Sequence, residues 1–368
     1  MIEPSLNIGI EEEYQIVDPE TRELRSYVQQ FLEQGRAILP DQIRPEFLQS
    51  QVEAGTRVCS DVDEARDELI RIRRSVLRLA EDAGLWVAAA GTHPFSSWVQ
   101  QQVSPFGRYP ELVRFLQDVG RQLLIFGMHV HIGIEDKELL VDIMNQLRYF
   151  LPHLLALSSS SPFWHSRDTG LKSYRSVVFE NLPRTGVPQQ FESYASYRSY
   201  VDTLLTTGSI AEPTHIWWDV RPSEKFPTLE IRIPDMCTRL EETLCLVALI
   251  QAVTAKLVQL REANQSWRLY RKHLIDENKW RALRYGIEGK LIDFGKKKEV
   301  AFPILIREIL DWVDDVVDEL GSREEIEYAH TILREGTSAD RQLAVFRQTD
   351  DLRAVVDHVV EETQEGAT

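Results

Sequence analysis

The chain contains few cysteines for its length, with three among 368 residues, at Cys59, Cys237 and Cys245. Their number is odd, and no two of them form a CxxC pair. A disulfide framework needs paired cysteines, and a thiolate zinc site needs closely spaced ones. The sequence therefore indicates neither, and it favours the reducing cytoplasm as the location of the protein.

Long apolar runs are also absent. No stretch reaches about 18 uninterrupted apolar residues, the length that marks a membrane-spanning helix. The most apolar segment, Leu244 to Leu260, is interrupted by Gln251, Thr254 and Lys256. The first residues, MIEPSLNIGIEEEY, lack the basic start and the apolar core of a secretion signal. We therefore expect no membrane partner, and we expect a buried helix at 244–260 that serves either the core or a homo-oligomer contact.

Positive charge is scarce as well. Lysine and arginine number 42 against 58 aspartates and glutamates, so the formal net charge is -16. The one basic cluster, Lys296 to Lys298, is too short to form the basic surface that neutralises nucleic-acid phosphates, and we expect no nucleic-acid partner. The same acidity would repel ATP, so an ATP-binding function would require divalent metal ions and a few well-placed arginines.

The rest of the composition is that of a globular protein, with 43% hydrophobic residues and no low-complexity tract. Predicted strands alternate with helices of uneven length, and several strands have one polar and one apolar face. This pattern predicts an α+β fold with an antiparallel or mixed sheet and helices packed on one side. No repeat or linker divides the chain, so we predict a single domain over 1–368 that is mostly helical from about residue 239 onward.

The first predicted strand, Leu6 to Val17, carries two glutamates on its polar face. Side chains alternate across a strand, so Glu11 and Glu13 point away from the apolar residues, whereas Glu12 lies among them. Two carboxylates side by side repel each other unless a cation lies between them, and a divalent metal ion is the usual solution. A solvated strand edge would give the same ExE pattern. We expect Glu12 to form a structural ion pair.

A second strand of this kind, predicted over Phe126 to Ile134, carries His129 and His131 on one face. Gly127 and Gly133 lie in the same register and would leave room for a ligand to approach. An HxH pair on a strand occurs in zinc hydrolases and in magnesium or manganese ligases, so the pair leaves both classes open.

Three further predicted strands add polar residues. Their polar faces carry Gln49, Gln51 and Glu53 in 46–55, Asp219 and Arg221 in 216–221, and Glu230 and Arg232 in 228–233. A glutamate could ligate a metal ion and an arginine could stabilise a phosphoryl group. A cross-strand ion pair, which contributes little when it is exposed, would give the same pattern.

The remaining pattern predicts helices over 26–38, 61–83, 110–124 and 137–157 and a buried strand over 85–91. The segment SSSSPFWHSRDTG, Ser158 to Gly170, is rich in serine, proline and glycine, as functional loops often are. We predict a loop there that is long enough to serve as a lid.

Four of the predicted strands place glutamate or histidine on the less apolar face, and these residues are Glu11, Glu13, Glu53, His129, His131 and Glu230. This coincidence favours one shared metal site over unrelated surface residues. Carboxylates with one or two histidines suit Mg²⁺ or Mn²⁺ bridging the phosphates of ATP. Two alternatives stay open: an HxH metallohydrolase that uses metal-bound hydroxide, and a nucleotide-binding protein without turnover.

Seven motifs extend the pattern over nearly the whole chain. They are GIEEEYQIVDPET (9–21), QSQVEAGTRVC (49–59), GTHPF (91–95), GMHVHIG (127–133), HIWWDVRPS (215–223), LEIRIPD (229–235) and RYGIEG (284–289). In their order and spacing the chain resembles the type-2 glutamate-cysteine ligases, also called carboxylate-amine ligases, of the glutamine synthetase-like superfamily. The resemblance implies a curved, mainly antiparallel sheet that forms an open half-barrel, with helices on its outer face.

The resemblance also implies a reaction. ATP would transfer its γ-phosphoryl group to a carboxylate, usually the side-chain carboxylate of glutamate. An amine, with cysteine as the default, would then attack the acyl phosphate to give a γ-glutamyl-type amide, ADP and phosphate. The implied cofactors are ATP and Mg²⁺ or Mn²⁺, and glutathione biosynthesis is the implied setting.

Roles follow from the resemblance residue by residue. The implied metal ligands are Glu11, Glu13, Glu53, His129 and Glu230. Arg232 and Arg221 would stabilise the transferring phosphoryl group beside Glu53, and His131, Arg232 and Arg284 would lie on the nucleotide side. The implied substrate contacts are Tyr174, Arg175 and Thr92.

Overall fold

A computed structural model of the chain describes residues 3–107 and 109–367. The strands in chain order are β1 Ile8–Val17, β2 Ile43–Pro45, β3 Gln51–Gly55, β4 Trp86–Ala88, β5 Met128–Gly133, β6 Phe163–Trp164, β7 Arg167–Asp168, β8 Thr185–Gly186, β9 Trp217–Trp218, β10 Val220–Pro222, β11 Thr228–Ile231, β12 Lys290–Asp293 and β13 Lys298–Ala301. The α-helices are α1 Val28–Gly35, α2 Val62–Asp82, α3 Tyr109–Leu116, α4 Asp118–Arg121, α5 Lys137–Leu147, α6 Leu151–Ser158, α7 Tyr174–Phe179, α8 Tyr194–Thr206, α9 Leu240–Glu262, α10 Lys272–Tyr285, α11 Phe302–Val317, α12 Arg323–Glu335, α13 Ser338–Thr349 and α14 Leu352–Gln364. Short 3₁₀ helices cover Trp98–Gln100, Pro213–His215 and Gly286–Glu288.

Seven strands form one curved antiparallel sheet in the order β10-β11-β5-β1-β3-β2, with β4 pairing to the C-terminal part of β1. Helices α2, α9 and α5 pack against β1, β5 and β11 respectively. The chain from α9 onward is helical apart from the β12–β13 hairpin. The predicted α+β fold with helices on one side of the sheet is therefore confirmed.

The central strand β1 shows the predicted alternation. Its apolar residues lie in the main hydrophobic core, and Glu12 is buried among them with 0% of its surface exposed. The guanidinium of Arg73 on α2 donates to Glu12, with 3.1 Å from Nε to Oε2, and the Thr243 hydroxyl on α9 donates at 3.0 Å. Tyr14 donates to the same carboxylate. Because a buried charge needs a partner of opposite sign, the structural ion pair expected for Glu12 is confirmed.

Helix α9 contains the segment 244–260 and is the core helix that the sequence predicts. It is the one helix among the described residues that is long and apolar enough to cross a membrane, and 83% of its most apolar window is buried inside the fold. Cys245 lies on this helix, and Cys59 and Cys237 lie elsewhere in the core; all three thiols are free and buried.

Two predicted helices are each broken in two. The segment 137–157 forms α5 and α6, and Pro152 lies in the first turn of α6, where its missing N–H removes no helical hydrogen bond. The segment 110–124 forms α3 and α4, which meet at Gln117, whose φ of 54° lies in the left-handed region. At both places the prediction of a single helix was wrong. The helical spacing of apolar residues continues through the point where the chain changes direction.

Two predicted strands are also divided. The segment 46–55 is a strand only from Gln51, because Pro45 ends β2 on the edge of the sheet and a turn joins it to β3. The segment 216–221 contains β9, which pairs in parallel with β8, and β10, which pairs with β11 in the main sheet. Asp219 lies between these two strands and accepts a hydrogen bond of 2.7 Å from Lys279 Nζ.

The predicted lid at Ser158 to Gly170 is only partly a surface loop. Ser158 to Ser161 are buried, and Phe163 has 0% of its surface exposed. Serine side chains there donate to the buried Asp235 and to backbone carbonyls, so the polar composition that suggested an exposed loop serves an internal hydrogen-bond network instead. The prediction of a loop that could serve as a lid was wrong for the first half of this segment.

Candidate functional site

Strand register brings the predicted polar residues onto one face of the sheet. Glu11 of β1 lies opposite His129 of β5, and Glu13 lies opposite Glu53 of β3. On the other side of β5, His131 lies opposite Glu230 of β11. On the next strand, β10, Arg221 lies opposite Glu230. Residues that are far apart in the chain therefore form a continuous polar surface across five strands.

The first ligand cluster consists of Glu11, His131 and Glu230. One ligand atom from each of these residues lies within 4.8 Å of the other two, as metal coordination by all three requires. Burial would raise the pKa of Glu230, but Arg221 and Arg232 outweigh it and hold this pKa well below its usual range. Burial opposes ionisation of Glu11 too, yet hydrogen bonds and charge from the histidines keep its pKa well below the usual range. Both carboxylates are therefore ionised and ready to ligate.

The second ligand cluster consists of Glu13, Glu46 and Glu53, again with ligand atoms within 4.8 Å of one another. Burial and the neighbouring Glu46 raise the pKa of Glu13 to about 8. Burial and the charges of Glu11, Glu46 and Glu13 raise the pKa of Glu53 well above its usual range. Arg44 contacts Glu53 at 3.5 Å. Burial and the neighbouring carboxylates therefore disfavour ionisation of Glu13 and Glu53, and a bound cation would favour it.

The donor chemistry of both clusters fits a hard divalent cation. Five carboxylates and one imidazole supply oxygen and nitrogen ligands, and no thiolate is among them. Such sets suit Mg²⁺ or Mn²⁺ rather than a structural zinc ion. The raised pKa values in the second cluster are the expected sign of carboxylates gathered for a metal ion.

The two histidines have different surroundings. His131 Nδ1 lies 2.9 Å from Thr228 Oγ1, and its buried Nε2 has no hydrogen-bond partner among the described residues. His129 Nδ1 lies 3.2 Å from Glu11 Oε2 and 3.5 Å from Arg232 Nη1. Burial and the charge of Arg232 lower the pKa of His129 to about 4, so it is neutral. The sequence named His129 as the ligand, whereas the geometry groups His131 with the first cluster; the ligand role of His129 stays a prediction.

Arg175 approaches the second cluster from α7. Its Nη1 and Nη2 donate to the carbonyl oxygens of Ile233 and Arg232, each at 3.2 Å, and Asp235 lies 3.9 Å away. Asp235 has 0% of its surface exposed and accepts hydrogen bonds from Ser161 Oγ at 2.7 Å and Ser173 Oγ at 2.8 Å. This buried carboxylate therefore fixes both Arg175 and the serine segment that supports it.

The glycines beside the histidines make room for protein side chains rather than for a ligand. A Cβ on Gly127 would lie 2.2 Å from Arg175 Nη2. A Cβ on Gly133 would lie 2.2 Å from Ser5 Oγ. The space expected for a ligand at these two positions is therefore filled within the fold, and the sequence interpretation was wrong in this respect.

Two cavities flank the polar surface. The Phe226 cavity holds about 740 Å³ of space, including its open mouth, and its lining includes Glu11, Arg44, His131, Phe226 and Thr228. The Trp217 cavity holds about 660 Å³, including its mouth. Its lining residues are Glu13, Glu46, Phe47, Gln51, Tyr109, Leu112, Leu123, Ile125, His129, Arg175, Phe179, Leu182, Trp217 and Arg232. The first cluster thus borders one cavity and the second cluster borders the other.

Some predicted site residues lie outside the site, and their side chains form hydrogen bonds or ring contacts elsewhere in the protein. Thr92 donates through its hydroxyl to the carbonyl of Phe163 at 2.8 Å, and it lines neither cavity. The ring of Tyr174 lies 5.5 Å from that of Trp164 and also lines neither cavity. Arg284 donates to the Gly170 carbonyl and lies over the ring of Tyr285, away from both clusters. The structure does not bring these three residues into the site.

Arg221 lies in the site but behind Glu230. Its guanidinium donates to both oxygens of Glu230, at 2.8 and 3.2 Å, and to the carbonyls of Thr214 and Ile216 at 2.9 and 2.6 Å. These contacts hold Glu230 in position. Arg232 differs, because it pairs with Glu230 through Nη1 while its buried Nε has no hydrogen-bond partner among the described residues.

Sequence reasoning missed Glu46 and Asp235. Glu46 directly follows Pro45, so the turn between β2 and β3 separates it from Glu53 and the strand alternation does not place both residues on one face. A glutamate directly after a proline and seven positions before a predicted ligand is the signal that was available. Asp235 gave no separate signal beyond its place at the end of LEIRIPD, because burial of a carboxylate depends on tertiary partners.

Comparison with known proteins identifies relatives over the whole chain. The profile of glutamate-cysteine ligase family 2 (GCS2) matches residues 7–358. Proteins named "Putative glutamate--cysteine ligase 2" are similar to the chain: that of Herpetosiphon aurantiacus is 54% identical over 98% of this chain and 93% of its own length. The Chloroflexus aggregans protein of the same name is 56% identical over 98% of this chain and 93% of its own length.

Solved structures share the fold at low sequence identity. A glutamate-cysteine ligase from Francisella tularensis, solved in complex with AMP, matches with a TM-score of 0.72 at 13% identity, over 98% of this chain and 89% of that chain. A bifunctional glutathione synthetase from Pasteurella multocida matches with a TM-score of 0.70 at 14% identity, over 98% of this chain and 52% of that chain. Helices packed on a curved antiparallel sheet are thus common to all three proteins.

Proposed function

The chain belongs to glutamate-cysteine ligase family 2 and is a ligase, and from this premise we propose that it joins glutamate to an amine with ATP and Mg²⁺ or Mn²⁺. The observation that carries the proposal is the pair of ligand clusters on one sheet face, each beside its own cavity. A ligase of this kind must bring a nucleotide and a carboxylate together. The two cavities would let them reach the metal site from two directions.

The metal ions would be held by Glu11, His131 and Glu230 in the first cluster and by Glu13, Glu46 and Glu53 in the second. When bound, they neutralise the triphosphate and the charge that develops during phosphoryl transfer. The protein's own contribution is to hold the carboxylates of the first cluster ionised and correctly placed, as Arg221 does for Glu230.

We assign the nucleotide to the Phe226 cavity and glutamate to the polar end of the Trp217 cavity. Arg175 and Arg232 both line the latter cavity, and each has a buried Nε without a partner among the described residues. Buried cations with unused donors are suited to a carboxylate or an acyl phosphate. The γ-carboxylate of glutamate would take the γ-phosphoryl group of ATP there, and attack by the amine would give an amide, ADP and phosphate.

The walls around the site also restrict water. His129 and Glu230 are each less than about a tenth exposed. Limited access of water protects an acyl phosphate from hydrolysis before the amine arrives. We further propose that the whole of 1–368 is one catalytic domain, that it acts in the cytoplasm and that it forms a homo-oligomer.

Product analysis tests the proposal. The chain is incubated with ATP, Mg²⁺, glutamate and hydroxylamine, a small nucleophile that traps activated carboxylates as hydroxamates. We expect γ-glutamyl hydroxamate and ADP in equal amounts, with no product when metal, ATP or glutamate is left out. Glu230→Gln should abolish product while the chain stays folded, as judged by circular dichroism.

The alternatives predict different outcomes. A metallohydrolase would act without ATP, and a nucleotide-binding protein without turnover would bind ATP and yield no product. Family membership disfavours both. Absence of hydroxamate under all metal conditions would contradict the ligase proposal.

A further inference from the structure

Arg44 connects the two ligand clusters. It lies on the edge strand β2, in register with Glu53 of β3. Its Nη1 is 3.4 Å from Glu11 Oε1 and 3.5 Å from Glu53 Oε1. Glu11 belongs to the first cluster and Glu53 to the second. One guanidinium therefore bridges carboxylates that we assign to two different metal sites.

Arg44 is held less firmly than Arg221, the arginine that supports Glu230. The side chain of Arg221 is 13% exposed and contacts Glu230 at 2.8 Å. The side chain of Arg44 is 46% exposed, and both of its carboxylate contacts are longer. Exposed ion pairs contribute little to stability. Arg44 can therefore leave Glu11 and Glu53 at small cost in free energy.

Arg44 also lines the Phe226 cavity, together with Glu11 and His131. The lining has a second arginine, Arg57, which pairs with Glu68 on α2. The phosphates of a nucleotide in this cavity would lie toward the ligand clusters, because the metal ions bridge them. The contacts of Arg44 with Glu11 and Glu53 place it at this end of the cavity.

We propose that Arg44 exchanges partners when the site is loaded: its guanidinium leaves Glu11 and Glu53 and donates to the β- and γ-phosphates of the nucleotide. The inference rests on the proposed function, because that function assigns the nucleotide to the Phe226 cavity. Metal ions at Glu11 and Glu53 would offset the negative charge that attracts Arg44. Phosphate is a strong alternative partner, because a guanidinium can bind two of its oxygens at once.

Equilibrium binding to the intact chain tests the proposal. AMP lacks the β- and γ-phosphates of ATP and shares the rest of the nucleotide, so the ratio of the two affinities isolates the predicted contact. At saturating Mg²⁺, we expect Arg44→Ala to weaken ATP binding at least about tenfold and AMP binding less than about twofold. Arg44→Lys keeps the charge and should weaken ATP binding less. Equal weakening of ATP and AMP, or unchanged or tighter ATP binding, would overturn the proposal.

Arg57→Ala is the matched control. Arg57 lines the same cavity, its side chain is 70% exposed, and Glu68 keeps Arg71 as a partner in the variant. We expect the ratio of ATP to AMP affinity to stay within about twofold of the parent value. A change in this ratio as large as that in Arg44→Ala would mean that positive charge near the cavity, rather than a contact of Arg44, governs ATP binding.

Metal binding without nucleotide tests the exchange itself. Arg44 competes with a metal ion for Glu11 and Glu53, so Arg44→Ala should bind Mg²⁺ as tightly as the parent or up to about tenfold more tightly, as calorimetry would show. Weaker Mg²⁺ binding would contradict the exchange, because Arg44 would then support the metal ligands rather than compete for them.

Hydroxamate formation separates this proposal from the proposed function. If the parent chain forms hydroxamate and Arg44→Ala keeps the parent ratio of ATP to AMP affinity, the assignment of Arg44 alone is overturned. If the parent chain neither binds ATP nor forms hydroxamate, the ligase proposal fails and the assignment of Arg44 fails with it. Hydroxamate formation by the parent together with selective loss of ATP binding in Arg44→Ala supports both.

Discussion

Glu12 and Glu13 are adjacent on β1, yet their side chains enter opposite environments. Glu12 points into the core, where Arg73, Thr243 and Tyr14 surround its carboxylate with donors. Glu13 points into the site, where two other carboxylates stand beside it and its pKa rises to about 8. The fold pairs the charge of Glu12 with that of Arg73, whereas burial and the neighbouring Glu46 disfavour ionisation of Glu13.

This difference distinguishes structural from functional carboxylates. A buried charge with its own partner holds elements together, here β1, α2 and α9. A buried carboxylate with a raised pKa costs stability when it is ionised, and a bound cation would offset that cost. Burial alone does not separate the two roles, since both side chains are nearly inaccessible.

The strongest test of the structural side is Glu12→Gln. The substitution leaves the Arg73 guanidinium buried without a counter-charge, because Arg73 is only 1% exposed. We expect a loss of about 3–5 kcal/mol in the free energy of unfolding, measured by urea denaturation. A loss below about 1 kcal/mol would mean that the core tolerates the unpaired charge.

The matching test on the functional side is Glu13→Gln. Turnover should fall at least about 100-fold, because the second cluster loses a ligand. The metal-free variant should nevertheless be more stable than the parent at pH 8. The folded-state pKa of Glu13 is raised to about 8 from the usual 4.5, so between these pH values folding requires the uptake of a proton, at a cost in stability that glutamine does not have.

We expect the gain in stability to be on the order of 4 kcal/mol at pH 8 and to shrink toward pH 5, near the ordinary pKa at which Glu13 of the unfolded chain also takes up a proton. Thermal unfolding in EDTA across this range measures it. A variant that is less stable than the parent at pH 8 would contradict the raised pKa of Glu13.

Metal affinity should depend on pH for the same reason. Glu13 holds a proton in the metal-free chain near neutral pH, and ligation requires its release; the pKa of Glu53 is raised in the same direction by burial and by the neighbouring carboxylates. We expect the Mg²⁺ affinity to rise from pH 6 to pH 8 by up to about tenfold per pH unit for each proton displaced. Calorimetry in buffers of different ionisation enthalpy should detect proton release at pH 7, and less of it in Glu13→Gln. Affinity that does not change with pH would contradict the raised pKa values.

The smallest effect is expected from Gly127→Ala. The added Cβ would meet Arg175 Nη2 at 2.2 Å, so the guanidinium must shift within its buried site. We expect the KM for glutamate to rise about threefold to tenfold with a smaller change in kcat. Gly133→Ala is the matched control, because its Cβ meets the rotatable Ser5 hydroxyl on the Phe226 side. A larger effect of Gly133→Ala on the glutamate KM would argue against our placement of glutamate.

Sequence alone predicted the parts of the site that depend on strand periodicity. Glu11, Glu13, Glu53, His131 and Glu230 converge because each strand alternates regularly and the register is antiparallel. The same reasoning correctly separated Glu12 from its neighbours. Periodicity also predicted the core helix α9.

The rest depends on contacts that periodicity does not report. Glu46 escaped notice because the turn after Pro45 resets the alternation. The serine-rich segment was interpreted as a surface lid because its composition is polar, but its partner, the buried Asp235, is 74 residues from Ser161 along the chain. Arg221 was assigned to the phosphoryl group from the resemblance, and its hydrogen bonds to both oxygens of Glu230 could not be inferred from the sequence; the phosphoryl role stays a prediction.

The most direct test of the central claim follows oxygen from glutamate to phosphate. The chain is incubated with ATP, Mg²⁺, hydroxylamine and glutamate labelled with ¹⁸O in its γ-carboxylate, and the released phosphate is analysed by mass spectrometry. An acyl phosphate formed at the polar end of the Trp217 cavity predicts one ¹⁸O atom in each phosphate. Release of unlabelled phosphate with formation of hydroxamate would contradict the acyl-phosphate route.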